Sequence, residues 1–372
     1  EEIQSHLEQV VKQGNLLPHI HFNTKVETAT WNEDDNLWTV TDQSGQEQTA
    51  RVLISAMGGL SKPKWPEIKG LNDFRGAVFH SQQWPEDIDL TGLKVGVIGT
   101  GASAVQFIPH VAKQASQLTV FQRTPNWILP KPDRAISSMH RWFYQNIPPI
   151  RWLLRLALFL LLETRLPAFT RFPKLAYFHR KKAIKHLQSQ VQDSALWDAL
   201  TPAYPMGCKR VLMSNDFYPS FNRPNVSLIT QSIKCITPTG IADGSGTAHE
   251  FDVLILGTGF EASHPIPPGL ILGRNHTDLA EAWSAGPEAY KGLSVHGFPN
   301  MFLMLGPNTA LGHNSVLLMI EGQINYVVDA INTLKKNAWQ SVEVRSDSQA
   351  SWNNQLEKTL KGSVWNAGGC QS

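Results

Sequence analysis

The chain opens on EEIQSHLEQVVKQ, whose apolar residues recur at helical spacing and predict a short amphipathic helix. From His19 the period changes to two. HIHFNTKVETATWNEDDNLWTVTDQSGQEQTARVLISAMGG alternates apolar and polar positions across turn signals at Asp34-Asp35-Asn36 and Ser44-Gly45, and predicts a strand meander ending in a buried strand at 51–56. The same order recurs at 228–259: strand, strand, Ser-Gly turn, apolar strand, then glycines, with VLISAMGG matched by VLILGTGF. Between these stretches, LKVGVIGTGASAVQFIPHVAKQASQLTVFQRTP (93–125) reads as strand, tight glycine turn, helix and strand, the start of a βαβ unit. Residues 131–205 carry a mainly helical pattern punctuated by Pro148-Pro149, Pro167, Pro173 and Pro202, an inserted helical subdomain. Within it WLLRLALFLLL (152–162) is interrupted by Arg155 and closed by Glu163. It is shorter than the roughly 20 apolar residues of a membrane span, so a buried helix is expected. The tail feeds the loop GPNTALGHNS into a long helix.

Composition narrows the classes. At 372 residues the chain has room for roughly two or three domains of about 150 residues each. A net charge of +2 gives no global argument for nucleic acid. Residues 131–190 nevertheless hold twelve Lys/Arg against only Asp133 and Glu163, which reads as a solvated face beside a phosphate-binding domain, with interfacial membrane attachment as the alternative. The three cysteines form no close sequence pair, which argues against a disulfide framework or redox dithiol and favours a reducing, cytoplasmic setting. No metal-ligand spacing stands out among thirteen histidines, and no serine-nucleophile motif is present, so the chemistry is expected to come from a cofactor.

Gly99-Thr100-Gly101-Ala102-Ser103-Ala104 follows the apolar run Lys94–Ile98 and opens a helix. The first glycine permits the turn, the second lets backbone approach a pyrophosphate at the positive helix end, and small Ala104 allows close helix–strand packing. The next strand ends Gln122-Arg123-Thr124, where an NAD site would place an acid. A guanidinium pairs with a phosphate dianion, so NADP(H) is the expected dinucleotide; an exposed arginine at a strand end is the bland alternative.

FRGAVFHSQQWP (74–85) fits FxGxxxHxxxWP at every fixed position: Phe74, Gly76, His80, Trp84 and Pro85. With FQRTPNW, YPMGCKRV, EFDVLILGTGF and FPNMFLMLGPNTALGHNS in order, the chain resembles the Baeyer–Villiger monooxygenases over nearly its whole length. The resemblance implies an α/β fold: two dinucleotide-binding, Rossmann-like domains with the helical insertion. Residues 1–57 would form part of the FAD domain, 58–130 the NADP domain with the 74–85 fingerprint as interdomain linker, 131–205 the insertion, 206–252 the return to the NADP domain, and 253–372 the rest of the FAD domain. It implies FAD and NADP(H) as cofactors, with O2 and a small ketone-like molecule as partners. Oxygen would add to reduced flavin, and the resulting flavin peroxide would convert the ketone to an ester or lactone. His80 would act in domain motion, Arg210 as the catalytic cation, Lys209 with Arg123 and Thr124 at the NADP phosphate, and Gly257, Gly259, Asn308, His313, Asn314 and Ser315 toward FAD. The family's first glycine-rich turn and a catalytic acid would precede Glu1, so the chain reads as a piece of a longer protein. Oxygenation of nitrogen or sulfur, or a silent NADP(H)-binding module, are the alternatives.

Overall fold

The computed structural model describes residues 2–133, 135–170, 172–261 and 266–367. The chain divides into two compact units. The first comprises Glu1–Gly58, Ser263–Thr309 and Met319–Asn353; the second comprises Gly59–Ala262, Ala310–Leu318 and Asn354–Ser372.

In the first unit the alternating stretch folds into antiparallel strands Val26–Asn32, Leu37–Asp42 and Glu47–Ala50, and Ile271–Leu272 adds in parallel to the first. Trp31 and Trp38 face each other across the first hairpin with ring centroids 5.6 Å apart, edge to face. Trp38 is fully buried, and its indole N–H donates to the Pro299 carbonyl at 2.9 Å, so this ring is both core and tether. The strand expected at 51–56 spans Leu53–Ser55 and pairs in parallel with Met301–Leu303, but it is not buried as expected: Ile54 is exposed and its two neighbours are only half-buried.

The second unit is built on an all-parallel five-stranded sheet in the order Val226–Ile229, Gln117–Phe121, Lys94–Ile98, Val253–Leu256, Ala77–His80. A parallel sheet is covered on both faces, which explains the uninterrupted apolar runs of its strands. Val95, Val97, Leu118, Val120 and Ile255 bury against Ile108 and Val111 of the helix Ala102–Gln114, while Leu254 and Leu256 join a separate core with Ile241 and Phe251. A short parallel pair, Ile128–Leu129 with Leu212–Met213, stands at either end of the helical insertion.

The repeat seen in the sequence has a physical basis. Asp42 Oδ1 accepts from Ser44 N, Gln46 N and the Ser44 hydroxyl; Asp243 Oδ1 accepts from Ser245 N, Thr247 N and the Ser245 hydroxyl in the corresponding turn. The same aspartate-centred turn therefore closes a hairpin in each unit.

Further expectations need correction. Val253–Leu256 does not belong with the first unit, as a division at 252/253 requires; it lies between Lys94–Ile98 and Ala77–His80 in the second unit's sheet. The 74–85 stretch is not a free linker, because Ala77–His80 is the edge strand of that sheet. The apolar run inside helix Pro148–Glu163 is not buried: the helix contains no buried residue. Among the described residues no helix is long and apolar enough to cross a membrane.

Candidate active site

The glycine turn takes its shape from two strands rather than one. Strand Lys94–Ile98 delivers Gly99 at φ +103°, and a Cβ there would stand 2.5 Å from the carbonyl oxygen of Gly257, the residue just past the neighbouring strand. Only glycine meets both demands. Gly257 in turn lies over this helix start: its own hypothetical Cβ would be 3.2 Å from that of Ala104. Gly257, expected toward FAD, ends the strand beside the first strand of the turn and packs against that turn. Gly101 is different. Its backbone is extended, and the nearest atom to an added Cβ is 3.9 Å away, so nothing in the protein forbids a side chain there.

Helix Ala102–Gln114 begins with no side-chain cap. The N–H groups of Ala102, Ser103 and Ala104 thus have no acceptor within the helix, and they point where the dipole is positive. An uncapped turn made by two glycines fits an anion, and the space open at Gly101 fits close approach by a pyrophosphate. Thr100, buried, holds the loop in place: its carbonyl accepts from Asn126 Nδ2 at 2.6 Å, and its hydroxyl donates to the Thr124 carbonyl at 3.4 Å.

The charged part of the site lies at the end of the next strand. Gln122 is buried and donates to the Ala199 carbonyl at 2.8 Å, so the chain turns outward at exposed Arg123. Lys209 is half-buried, with its ammonium 5.2 Å from the centre of the Tyr204 ring. Burial, and then the positive charge of Arg123, hold the Lys209 pKa below the ordinary lysine range. Two cations are therefore kept within each other's field beside a turn that suits phosphate. Tyr204 anchors the arrangement by donating its hydroxyl to the Pro125 carbonyl at 3.0 Å while its own carbonyl receives the Trp127 indole; burial pushes its phenol pKa up to about 12. Arg210 follows Lys209 and is exposed.

The fingerprint strand is packed against the same turn region. His80 has no exposed surface. Its Nδ1 accepts from Gln82 N at 3.2 Å, its ring stands edge-on to Phe260 with centroids 5.6 Å apart, and its Nε2 is buried without a well-aligned partner. Burial depresses its pKa, with the Gly259 backbone only partly offsetting, so the ring is held neutral. Trp84 packs edge-on to Phe79 at 5.0 Å and to Phe107 of the turn helix at 5.4 Å, and Phe74 is buried. Gly259, at φ +85°, accepts from Lys64 N at 2.9 Å, while the Thr258 hydroxyl donates to the Lys64 carbonyl at 2.6 Å.

The remaining residues expected toward FAD are divided between the two units. Asn308, with a left-handed backbone, falls in the first unit. His313 and Asn314 fall in the second, where Nε2 of the one (3.2 Å) and Nδ2 of the other (2.7 Å) meet Oε1 of Glu163, the last residue of helix Pro148–Glu163. Ser315 Oγ accepts from Leu317 N at 3.3 Å at the start of helix Val316–Asn337. Sequence reasoning missed Asn126, Tyr204 and Glu163 as site residues. Asn126 lies inside FQRTPNW and Tyr204 opens YPMGCKRV, so both were in reach. Among the described residues, no three His, Cys, Asp or Glu side chains come together as a metal site.

A central parallel strand, a two-glycine turn into an uncapped helix and a paired cationic rim define a dinucleotide-binding α/β protein. Comparison with known proteins agrees and narrows the class. The family described as "FMO-like: Flavin-binding monooxygenase-like" matches residues 1–271. A Baeyer–Villiger monooxygenase of Pseudomonas aeruginosa is 46% identical over 371 residues, covering all of this chain and 70% of that protein. One of Streptomyces coelicolor is 38% identical over 373 residues, covering all of this chain and 72% of that protein. Among solved structures, OTEMO in complex with FAD and NADP superposes with a TM-score of 0.87 at 30% identity, covering 99% of this chain and 76% of that one. The chain belongs to the flavin-binding monooxygenase-like family and, within it, to the Baeyer–Villiger monooxygenases.

Proposed function

We propose that this NADPH-dependent flavoprotein monooxygenase inserts one atom of O2 beside the carbonyl of a small ketone, giving an ester or lactone. The observation that carries the reading is the pair Arg123 and Lys209, two cations held in each other's field next to an uncapped, two-glycine helix start. Bound FAD, reduced by NADPH, supplies the activation of oxygen. This chain's residues do the rest. The N–H groups of Ala102, Ser103 and Ala104 hold the NADP pyrophosphate, and Gly101 leaves the room for it. Arg123 and Lys209, with Thr124, clamp the 2′-phosphate, whose charge relieves the repulsion between them. Arg210 brings a guanidinium cation that stabilises the negative charge that develops on the substrate oxygen. Buried, neutral His80 and Trp84 fix the edge strand against the turn, and Gly259, Asn308, His313, Asn314 and Ser315 belong to the loops on the FAD side.

The test is a product assay on the purified enzyme with NADPH and isotopically labelled O2, offered a cyclic ketone and a thioether in separate reactions. One labelled oxygen in a lactone supports carbonyl oxygenation. Sulfoxide with no lactone would assign the enzyme to heteroatom oxygenation, and NADPH binding with neither product would reduce it to a binding module.

A further inference from the structure

Helix Pro148–Glu163 is the least explained element of the fold. Every residue from Arg151 to Leu161 is exposed, and the run is almost wholly apolar, with Trp152 63% and Leu161 59% accessible. Soluble surfaces rarely leave a contiguous patch of this kind uncovered. The apolar exposure continues on neighbouring elements of the insertion: Met139 and Trp142 before it, Tyr177 and Phe178 after it.

The charge around this patch is segregated. Residues 131–190 hold twelve of the 33 Lys/Arg and two of the 31 Asp/Glu, which leaves 21 against 29 in the rest of the chain. The insertion is therefore strongly positive on a remainder that is negative. Its two acids are engaged: Asp133 pairs with Lys131 at 2.6 Å, and Glu163 accepts from Asn314 and His313. Arg141, Arg151, Lys174, Lys181, Lys182 and Lys185 of the same insertion are exposed.

We propose that the helical insertion docks the enzyme on an anionic lipid surface, the helix Pro148–Glu163 lying in the interface rather than crossing it. At sixteen residues the helix is roughly 24 Å long, short of a hydrocarbon core of about 30 Å. An exposed apolar helix on an insertion rich in exposed Lys, Arg, Trp and Tyr is what the headgroup boundary accepts: apolar side chains enter the acyl region, indoles sit at headgroup level, and cations meet lipid phosphates. A second copy of the chain is a poorer occupant, since it would bring two such positive faces together. The proposal is independent of the substrate assignment.

The test is co-sedimentation of the purified enzyme with phosphatidylcholine vesicles, with and without phosphatidylglycerol, at low and high salt. The expected result is partition to the anionic vesicles, weakened roughly tenfold or more in neutral lipid and by high salt. Trp152→Asp with Leu160→Asp should abolish partition, and Lys181→Glu with Lys182→Glu should weaken it roughly tenfold or more. Both double variants should keep wild-type thermal unfolding and NADPH binding, because all four side chains are exposed. An enzyme that stays in the supernatant with anionic vesicles overturns the proposal. So does a concentration-dependent dimer, seen in sedimentation velocity, that the Asp substitutions break. Unfolding of the Trp152→Asp, Leu160→Asp variant would show the face to be covered by the protein itself, and would also overturn it.

Discussion

Gly99 and Gly101 stand two residues apart in one motif, yet the structure gives them separable jobs, and substituting each with alanine should separate them. At Gly99 a methyl group meets a backbone carbonyl at 2.5 Å in a backbone conformation, φ +103°, that an L-residue avoids. The obstructing atom belongs to Gly257, at the end of a strand hydrogen-bonded on both sides, so neither partner moves cheaply. Positive φ costs about 1 kcal/mol and forced overpacking about 1–3 kcal/mol, so Gly99→Ala should lose about 2–4 kcal/mol of stability. At Gly101 the new methyl has nothing closer than 3.9 Å, and the residue's φ of −66° is ordinary. Alanine is a weaker helix cap than glycine by roughly 1 kcal/mol or less, so Gly101→Ala should unfold near the wild-type temperature. Its methyl group would occupy the approach of the pyrophosphate, however, and the NADPH Kd should rise roughly tenfold or more. The assay is thermal unfolding without ligand, paired with fluorescence titration of NADPH on the same samples. Wild-type Kd in a folded Gly101→Ala protein would refute the placement of the dinucleotide. Wild-type stability in Gly99→Ala would refute the close approach of the two strand ends.

Neutralising Arg123 and Lys209 together should collapse a preference for NADPH over NADH of tenfold or more, read as the ratio of kcat/KM values, because each lost charged contact is worth about 1.5–3 kcal/mol. Since burial and Arg123 lower the Lys209 pKa, NADPH affinity should begin to fall at a pH below the usual lysine range, and Arg123→Gln should move that fall upward in a pH series of Kd values. Arg210→Ala should still consume NADPH but release hydrogen peroxide in place of ester, with Arg210→Lys restoring only part of the yield; ester per NADPH near the wild-type value would leave Arg210 outside the chemistry. His80 is held neutral with a depressed pKa, so as pH falls below about 6.5 the unfolded chain takes up a proton that the folded one refuses, and stability should drop. His179 is depressed in the same direction, so His80→Gln should reduce the slope of stability against pH without abolishing it.

What could be read in the sequence was whatever local chemistry enforces. The turn at Gly99 was legible because a strand, two glycines and a helix follow one another within twenty-one residues, Lys94–Gln114. The paired meanders were legible because each turn is closed by an aspartate two residues before the serine of a Ser-Gly pair, at Asp42-Gln43-Ser44-Gly45 and Asp243-Gly244-Ser245-Gly246. Sheet membership was not legible. Val253–Leu256 and Leu53–Ser55 are similar apolar runs ending in similar glycines, yet one lies inside a five-stranded sheet and the other, among the described residues, pairs with Met301–Leu303 alone. An apolar strand is silent about which neighbour covers it and how fully: Val253–Leu256 is buried throughout, whereas Ile54 is exposed.

The same silence explains the helix at 148–163. Periodicity cannot distinguish an apolar helix destined for a core from one left at the surface, because both lack a polar face; the difference lies in whether another element reaches it. In this fold the five-stranded sheet is already covered by Ile108, Val111 and their neighbours on one side and by Ile241 and Phe251 on the other, so the apolar faces of that sheet are filled without it. Glu163, Asn126 and Tyr204 escaped notice for a related reason: their partners are His313 and Asn314, Thr100, and Pro125, and only the last residue of each contact gives a side chain its role. For Lys209 the argument runs the other way. A lysine followed by an arginine is ordinary surface charge until the fold places Arg123 in its field, and a protein that holds two like charges together beside an open helix start has arranged them for a third, opposite one.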